Sequence, residues 1–310
     1  MNNYIKILRS GILTTIQDLK RIGFKKYGIP KSGPMDENSH ILANWLVNKN
    51  FFSETIEMTF YGPKIKFYFD TCIGLCGAET PIFLNNKLIE MNRTININKG
   101  DVLDIKNCIN GNRIYLSIAG KMLLNKDFNS LSTYDKINIG GINGKKLIKD
   151  DTIKIRPKKI KENRILPEIL IKRHNETIIR VIKGPEYNLV DKNSINSLSK
   201  EFKITPSSDR MGIRLSGNKI YLRNDVSIDS SVVSEGSVQL PPNGNPIILM
   251  RDAQTTGGYP RIGVVSRIDI SKISQVKPNE KIKLKFISMD EGEKLILHEK
   301  KILQSKLKLV

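Results

Sequence analysis

Residues 233–265 read VSEGSVQLPPNGNPIILMRDAQTTGGYPRIGVV, and this stretch decides the fold class of the second half of the chain. Its apolar runs, 247–250 and 262–265, are bounded by glycine and proline, which is typical of buried β-strands. A polar segment between them surrounds Gly257 and Gly258, where the backbone can bend and a ligand can come close. Loops held by a sheet often carry binding groups. We therefore predict a candidate site in this loop, with an ordinary hairpin turn as the alternative interpretation.

A second polar cluster lies in SSDRMGIRLSG, residues 207–217. Arg210 and Arg214 flank Gly212 there, directly after a Pro-Ser-Ser turn. A guanidinium stays charged and can grip a carboxylate or a phosphate through two hydrogen bonds. The two arginines are therefore candidates for anion binding, and ordinary surface ion pairs are the alternative.

The charge of the chain is strongly positive. Its 310 residues include 51 Lys and Arg against 31 Asp and Glu, a formal net charge of +20. That sign suits nucleic acid or a small anionic substrate. The basic residues are scattered, no nucleic-acid motif accompanies them, and only 6% of the residues are aromatic, which leaves little for base stacking. We therefore predict a small-molecule substrate and no nucleic-acid partner.

Cysteine and histidine are scarce. Cys72, Cys76 and Cys108 give no disulfide framework, and the three histidines are too far apart for zinc-ligand spacing. We expect buried thiols and no metal site. The start of the chain lacks the apolar core of a signal peptide, and no stretch approaches the roughly 18 apolar residues that cross a membrane. The sequence predicts a cytoplasmic protein without membrane association.

Short strand patterns fill both halves of the chain and predict a mainly β fold. Residues 51–120 carry alternating apolar residues between Gly, Asn and Asp turns, which is typical of a barrel or sandwich. Before them, Asp36 is placed to cap a helix whose apolar face includes Trp45, which we expect in the core. His40, beside that face, is predicted to be a packing or surface residue.

The predicted domain boundary follows a change in composition. Residues 156–176 are basic and interrupted by two prolines, which suggests a linker. The chain ends with apolar residues at helical spacing, which predicts a C-terminal helix. We predict an N-terminal β-rich lobe over 1–165 and a C-terminal β-barrel lobe over 166–310 that ends in this helix.

Four separate stretches together resemble one known family. They are TTIQDLKRIGFKKYGIPKSGPMD (14–36), NRIYLSIAGK (112–121), SDRMGIRLSG (208–217) and SEGSVQLPPNGNPIILMRDAQTTGGYPRIGVV (234–265). Their order and content resemble the signatures of the biotin-dependent carboxyltransferase family, which includes allophanate hydrolase subunit 2 and the Kip-inhibitor antagonist. The likeness runs from near residue 9 to near residue 287. The chain departs from the signatures at Lys20 and Lys121, where the family has glycine, and at Pro34, where it has alanine.

The resemblance implies a fold and several functions. The fold is two cyclophilin-like β-barrel lobes with a few short helices. The function it implies first is that of an ATP-dependent 5-oxoprolinase subunit, which hydrolyses 5-oxo-L-proline to L-glutamate together with partner subunits A and B, the second of these being Kip-inhibitor-like. The chain has no biotin-carrying Met-Lys motif, so no biotin is expected on it. The alternatives are a regulatory protein that antagonises a histidine-kinase inhibitor and the carboxyltransferase component of a biotin-dependent urea carboxylase system.

The resemblance also implies roles for particular residues. The candidate catalytic residues, as bases or ligands of Mg²⁺ carried by ATP, are Asp252, Glu235 and Asp18. The candidates for substrate or phosphate binding are Arg210, Arg214, Arg261, Arg21, Asp36, Gln239, Gln254, Thr255, Thr256, Gly257, Gly258 and Tyr259. ATP binding in this chain, in a partner or between subunits is equally open. Replacing Asp252 by Asn or Arg214 by Lys is expected to reduce activity by orders of magnitude and to leave the melting temperature near its original value.

Overall fold

The computed structural model describes residues 3–19, 21–160, 162–171, 178–223 and 228–307. The chain divides into two compact units, which are Met1–Ile22 with Ser32–His174, and Gly23–Lys31 with Asn175–Val310. Both consist mainly of strands, which confirms the predicted fold class. The domain boundary predicted at residue 165 stays a prediction, because a geometric division does not test independent folding. The departure at Lys20 lies outside the described residues.

The first unit is built from two sheets and one helix. Its strands are β1 (Tyr4–Arg9), β2 (Leu13–Gln17), β3 (Thr55–Thr59), β4 (Lys64–Phe67), β5 (Thr71–Glu79), β6 (Ile82–Leu84), β7 (Lys87–Ile89), β8 (Thr94–Ile97), β9 (Val102–Ile105), β10 (Asn110–Ile118), β11 (Gly120–Met122) and β12 (Thr152–Pro157). The seven-stranded sheet has the order β11-β12-β1-β4-β9-β6-β7, and the five-stranded sheet has the order β2-β3-β10-β5-β8. Alternate residues such as Ile5 and Ile7 on β1 enter one apolar core. Burial of each such side chain stabilises the fold by roughly 1.5–3 kcal/mol.

Helix α1 (Glu37–Leu46) begins where the sequence predicts. The Asp36 carboxylate accepts hydrogen bonds from the Ser39 N–H at 3.1 Å and from the Ser39 hydroxyl at 2.6 Å, which caps the helix. Gly74 on β5 lets the helix pack closely, since a Cβ there would lie 2.7 Å from the Ala43 carbonyl oxygen. Trp45 is only partly buried, which corrects the expectation that it is a core residue. The Arg164 guanidinium covers its ring at 4.9 Å.

His40 is buried on α1, and we expect it to make the fold sensitive to acid. Its Nε2–H donates to the Phe51 carbonyl at 2.9 Å, and its Nδ1 accepts from the Thr55 hydroxyl at 2.8 Å, so the neutral ring is satisfied. Burial lowers the pKa of His40 from 6.5 to about 4. The unfolded chain therefore binds a proton at a higher pH than the folded chain does. Stability is full above about pH 6.5 and falls as the pH drops towards 4, by about 3 kcal/mol in total.

Urea denaturation of the whole chain between pH 4 and pH 7 measures this effect. His40→Gln keeps a polar side chain of similar reach and cannot titrate, so it should remove most of the slope in this range. An equal slope in both proteins would show that other groups cause the acid sensitivity.

The predicted linker is packed rather than free over most of its length. The Arg164 guanidinium donates to the Trp45 carbonyl at 2.8 Å, and the Leu166 N–H donates to the Asn92 carbonyl at 2.9 Å. Leu166 and Leu170 are both buried. The segment up to Ile171 is therefore part of the first unit, and the rest of the predicted linker, 172–176, lies outside the described residues.

The second unit contains a closed barrel. Its strands are β13 (Ile178–Lys183), β14 (Glu201–Ile204), β15 (Gly212–Ser216), β16 (Ser231–Val232), β17 (Ser237–Gln239), β18 (Ile247–Leu249), β19 (Thr256–Gly257), β20 (Arg261–Val265) and β21 (Lys281–Ile287). The barrel has the order β13-β20-β17-β18-β15-β14-β21, and β16 pairs with β19 in a separate ribbon. Its helices are α2 (Lys192–Leu198), α3 (Arg267–Gln275) and α4 (Met289–Leu307), the last being the C-terminal helix that the sequence predicts.

The register of the barrel strands defines two ends that matter for the site. At the first end, Gly212 at the start of β15 lies opposite Leu249 at the end of β18, and the Gly236 N–H donates to the Leu249 carbonyl. At the second end, Gln239 at the end of β17 lies opposite Arg261 at the start of β20. Within the described residues, no helix is long and apolar enough to cross a membrane.

Candidate functional site

Asp18 lies in the first unit and is saturated with hydrogen bonds. One carboxylate oxygen accepts from the Ser130 hydroxyl and from the Ser132 hydroxyl, the latter at 2.9 Å, and the other accepts from the Leu131 N–H at 2.9 Å. The side chain is only 3% exposed. Asp18 therefore holds the loop 130–132 against the end of β2, which is the work of a positioning residue.

Arg21 is held in the same place. It is 2% exposed, and its Nη2 donates to the Ser132 carbonyl at 2.5 Å. Gly140 allows this arrangement, because it has a φ of +71° and a Cβ there would lie 1.9 Å from the Ser132 carbonyl oxygen. A guanidinium enclosed in this way is directed to its own backbone.

Asp36 belongs to a buried network beneath the loop that precedes α1. Its N–H donates to the Tyr115 hydroxyl at 2.7 Å, and that hydroxyl donates to Glu57 Oε2 at 2.8 Å. The Met35 N–H also donates to Glu57 Oε2, at 2.8 Å. Burial raises the pKa of Tyr115 well above its usual range, so the phenol stays a donor. The Gln17 side chain ties the same loop by accepting from the Gly33 N–H at 3.1 Å.

Two arginine–carboxylate pairs lie at the first end of the barrel. Arg210 Nε lies 2.7 Å from Asp252 Oδ2, and the Asp252 N–H donates back to the Arg210 carbonyl at 2.9 Å. Arg210 and Asp252 are both buried. Beside them, Arg251 Nε lies 2.7 Å from Glu235 Oε1. The two predicted catalytic carboxylates of this unit are thus each matched by a cation of the chain itself.

A third pair lies at the second end of the barrel. The Arg261 guanidinium donates to both Glu186 oxygens, at 3.0 and 2.6 Å, and its N–H donates to Glu186 Oε2 at 2.8 Å. These hydrogen bonds lower the pKa of Glu186. An anionic ligand at Arg261 would therefore have to share the guanidinium with Glu186. Arg214 differs, because it is exposed on β15 and carries no carboxylate partner among the described residues.

Gln239 is the centre of a polar group at the second end. Its Oε1 accepts from Gln254 Nε2 at 3.5 Å, and its Nε2 donates to the Tyr259 carbonyl at 3.5 Å. Ordinary N–H···O bonds are 2.7–3.2 Å long, so both contacts are weak. Gln239 is nevertheless only 1% exposed. A buried amide held so loosely is available to a ligand that offers better partners.

The glycine pair lies beside this amide. A Cβ at Gly257 would lie 2.7 Å from Gln239 Nε2, and a Cβ at Gly258 would lie 3.3 Å from the Ile228 carbonyl oxygen. Thr256 and Gly257 form β19, and the Thr255 carbonyl accepts from the Val233 N–H at 3.1 Å. The stretch is therefore a strand ribbon rather than a free loop. It brings Gln254, Gly257 and Tyr259 to Gln239, away from Asp252 at the first end.

Sequence reasoning missed two carboxylates of these networks. Glu57 stands between Ile56 and Met58 in an apolar strand pattern, and a charge at such a position is a signal that could have found it. Glu186 follows the Gly184–Pro185 turn, and nothing in its neighbourhood marks it as the partner of Arg261. In the described parts of the chain, no group of three or more His, Cys, Asp or Glu side chains could hold a metal ion.

Comparison with known proteins shows similarity along nearly the whole chain. A family described as carboxyltransferase domain, subdomain A and B, matches residues 27–286. The chain is 32% identical to the C subunit of 5-oxoprolinase from Escherichia coli over 94% of its own length and 93% of that protein. It is 31% identical to urea amidolyase of Lachancea kluyveri over 94% of its length, which is 17% of that protein. The crystal structure of K. lactis urea amidolyase superposes with a TM-score of 0.92 at 27% identity, over 98% of this chain and 20% of that one.

Proposed function

The chain belongs to the family of carboxyltransferase domains with subdomains A and B, and on that premise we propose that it is a subunit of an ATP-dependent 5-oxoprolinase. With partner subunits A and B it would hydrolyse 5-oxo-L-proline to L-glutamate. The observation that carries the proposal is the extent of the likeness to the C subunit of 5-oxoprolinase, which covers 94% of this chain and 93% of that protein.

The chemistry must activate an unreactive lactam. Transfer of the γ-phosphoryl group of ATP to the lactam carbonyl oxygen releases ADP and makes the ring carbon electrophilic. Attack by water and cleavage of the C–N bond then yield glutamate and phosphate. Such a reaction requires hydrogen-bond donors and cations aimed at the oxygens where charge develops. We propose that ATP with Mg²⁺ acts here as a co-substrate, in an assembly shared with the partner subunits.

The Gln239 amide suits the substrate. A lactam has its N–H and C=O on the same side of the amide bond, so a primary amide can donate to the carbonyl and accept from the N–H at the same time. Gln239 offers both groups, and its present bonds at 3.5 Å are weak enough to be exchanged. Arg214, exposed on its strand, is our candidate for the substrate carboxylate. Asp252 and Glu235 keep a proposed acid–base role, although each already faces an arginine.

Reconstitution tests the proposal directly. Glutamate release from 5-oxoproline is measured with MgATP and 5-oxoprolinase subunits A and B, with and without this chain. Turnover that depends on this chain supports the proposal. Tight binding to the Kip-inhibitor-like partner without any effect on turnover would instead favour a regulatory protein that antagonises a kinase inhibitor.

Replacing Gln239 by Leu should reduce the turnover of the reconstituted enzyme by about 100-fold, because a site built around a hydrogen-bonded amide loses both partners at once. The melting temperature should change little, since only two long hydrogen bonds are lost. Val232→Ala is the matched control, because Val232 is exposed on the neighbouring strand β16. Equal activity in the Gln239→Leu and Val232→Ala proteins would remove Gln239 from the site.

The second candidate function is carboxyl transfer from carboxybiotin on a separate carrier chain. The superposition on K. lactis urea amidolyase, with a TM-score of 0.92, favours it. Its mark would be urea carboxylation that needs an added biotin carrier and is blocked by avidin. Glutamate release that avidin does not affect would support the first candidate over this one.

A further inference from the structure

A basic cleft of about 440 Å³ lies in the first unit. The loop 49–54, strand β11 and the end of strand β12 line it. Its basic lining residues are Lys49, Lys121, Lys126, Arg156 and Lys158, and its acidic ones are Asp18 and Glu54. A volume of this size suits a small molecule.

The two carboxylates of the cleft do not neutralise most of these cations. Asp18 is bound by the loop 130–132 through three hydrogen bonds. Glu54 Oε1 lies 3.1 Å from Lys49 Nζ and accepts from the Met122 N–H at 2.8 Å. Lys49 and Glu54 thus form an internal pair, and the cations on β11, on β12 and in the following turns retain their charge.

Lys121 on β11 lies directly opposite Arg156 on β12. Side chains at directly opposed positions project to the same face of a sheet, where like charges repel each other. Gly120 fixes this register, since a Cβ there would lie 2.4 Å from the Arg156 carbonyl oxygen. Lys121 also occupies the position where the resembling family signature has glycine, so the doubled charge is a feature of this chain.

Other same-charge pairs on adjacent strands each have a carboxylate beside them. These pairs, with their carboxylates, are Lys6 and Lys66 with Asp150, Arg9 and Lys64 with Asp104, Arg180 and Lys285 with Asp269, and Lys203 and Lys281 with Glu201. Within the described residues, Lys121 and Arg156 have no carboxylate in an ion pair with either of them. The fold therefore keeps a repulsive pair in a cleft and leaves its neutralisation to an outside anion.

Two further features narrow the class of anion. Lys158 Nζ donates to the Asn48 carbonyl at 3.0 Å, which holds a third cation beside Arg156. Phe52 lines the same cleft and is 51% exposed, so its ring is open to stacking. Several cations beside an exposed aromatic ring fit a molecule with a chain of phosphates and an aromatic base.

We propose that the cleft binds the phosphates of a nucleotide, with Lys121, Arg156 and Lys158 on the phosphate oxygens and Phe52 against the base. The inference depends only on the charges of the first unit and does not require 5-oxoprolinase activity. If the proposed function also holds, the cleft gives this chain a direct part in handling ATP.

Titration calorimetry of the isolated full-length chain tests the proposal with inorganic triphosphate, ATP and adenosine as probes. Triphosphate and ATP should bind, ATP more tightly because of the ring, and adenosine should not bind measurably. Lys121→Gln combined with Arg156→Gln should weaken ATP binding by about 100-fold, since each lost charge-assisted hydrogen bond is worth about tenfold or more.

The control removes two charges elsewhere. Lys87→Gln with Lys300→Gln changes an exposed residue on β7, at the opposite edge of the same sheet, and an exposed residue on α4. This variant should bind ATP as the unchanged protein does. Equal weakening in both double variants would reduce the effect to net charge, and absence of triphosphate and ATP binding would overturn the proposal. Binding is measured on this chain alone, so its failure is distinguishable from failure of the 5-oxoprolinase assignment.

Discussion

Replacing Asp252 by Ala is expected to lower the free energy of unfolding by about 3–5 kcal/mol, because it leaves a buried guanidinium without its carboxylate. Arg210 and Asp252 are 8% and 4% exposed. Their atoms meet at 2.7 Å (Nε to Oδ2) and 3.3 Å (Nη2 to Oδ1). The pair also connects the start of β15 to the segment after β18, so its loss loosens the first end of the barrel.

Urea denaturation followed by circular dichroism measures the change. Arg214→Gln is the control, since Arg214 is exposed four residues further on and should change stability by no more than about 0.5 kcal/mol. The double variant Arg210→Met with Asp252→Leu should recover part of the loss by replacing the ion pair with apolar contact. An unchanged midpoint in Asp252→Ala would contradict the burial of this pair.

This prediction revises the expectation drawn from the sequence. Asp252→Asn cannot be expected to keep the melting temperature, because an amide does not neutralise Arg210. Lost activity in Asp252 variants would therefore mix chemistry with folding. Arg214 and Gln239 are cleaner probes of the site, since neither makes a strong side-chain bond in the described structure.

Replacing Asp18 by Ala is expected to destabilise the first unit by about 3–5 kcal/mol. The Ser130 and Ser132 hydroxyls and the Leu131 N–H would lose their charged acceptor, and each buried hydrogen bond to a charged group contributes about 1.5–3 kcal/mol, with incomplete additivity. The loop 130–132 also accepts the Arg21 side chain, so its release would leave that guanidinium less well held.

The single tryptophan, Trp45, is a fluorescence reporter in the unit that changes. Asp18→Asn keeps one acceptor oxygen and should fall between the parent and Asp18→Ala. Asp135→Ala is the matched control, because Asp135 is exposed in the same unit. Should Asp18→Ala prove as stable as Asp135→Ala, the carboxylate would not be holding the loop, and a catalytic role for Asp18 would regain support.

Short-range chemistry made part of the fold predictable. The capping of α1 by Asp36 involves a residue only three positions away, and the C-terminal helix follows from local apolar spacing. Period-2 alternation identified the strands of residues 51–120, because it depends only on which face of a strand is buried. Trp45 shows the limit of such reasoning, since Arg164 covers it from a distant part of the chain.

By itself, the sequence determined the mainly β class, the family resemblance and the polar stretches from which the site is drawn. Only the tertiary structure decided what those residues do. Asp18 meets Ser130 across 112 positions, Arg210 meets Asp252 across 42, and Arg261 meets Glu186 across 75. Strand register alone set Lys121 against Arg156 and Gln239 apart from Asp252. The reason is physical: the period of a strand gives the direction of a side chain, whereas its partner depends on which strands pair and in which register.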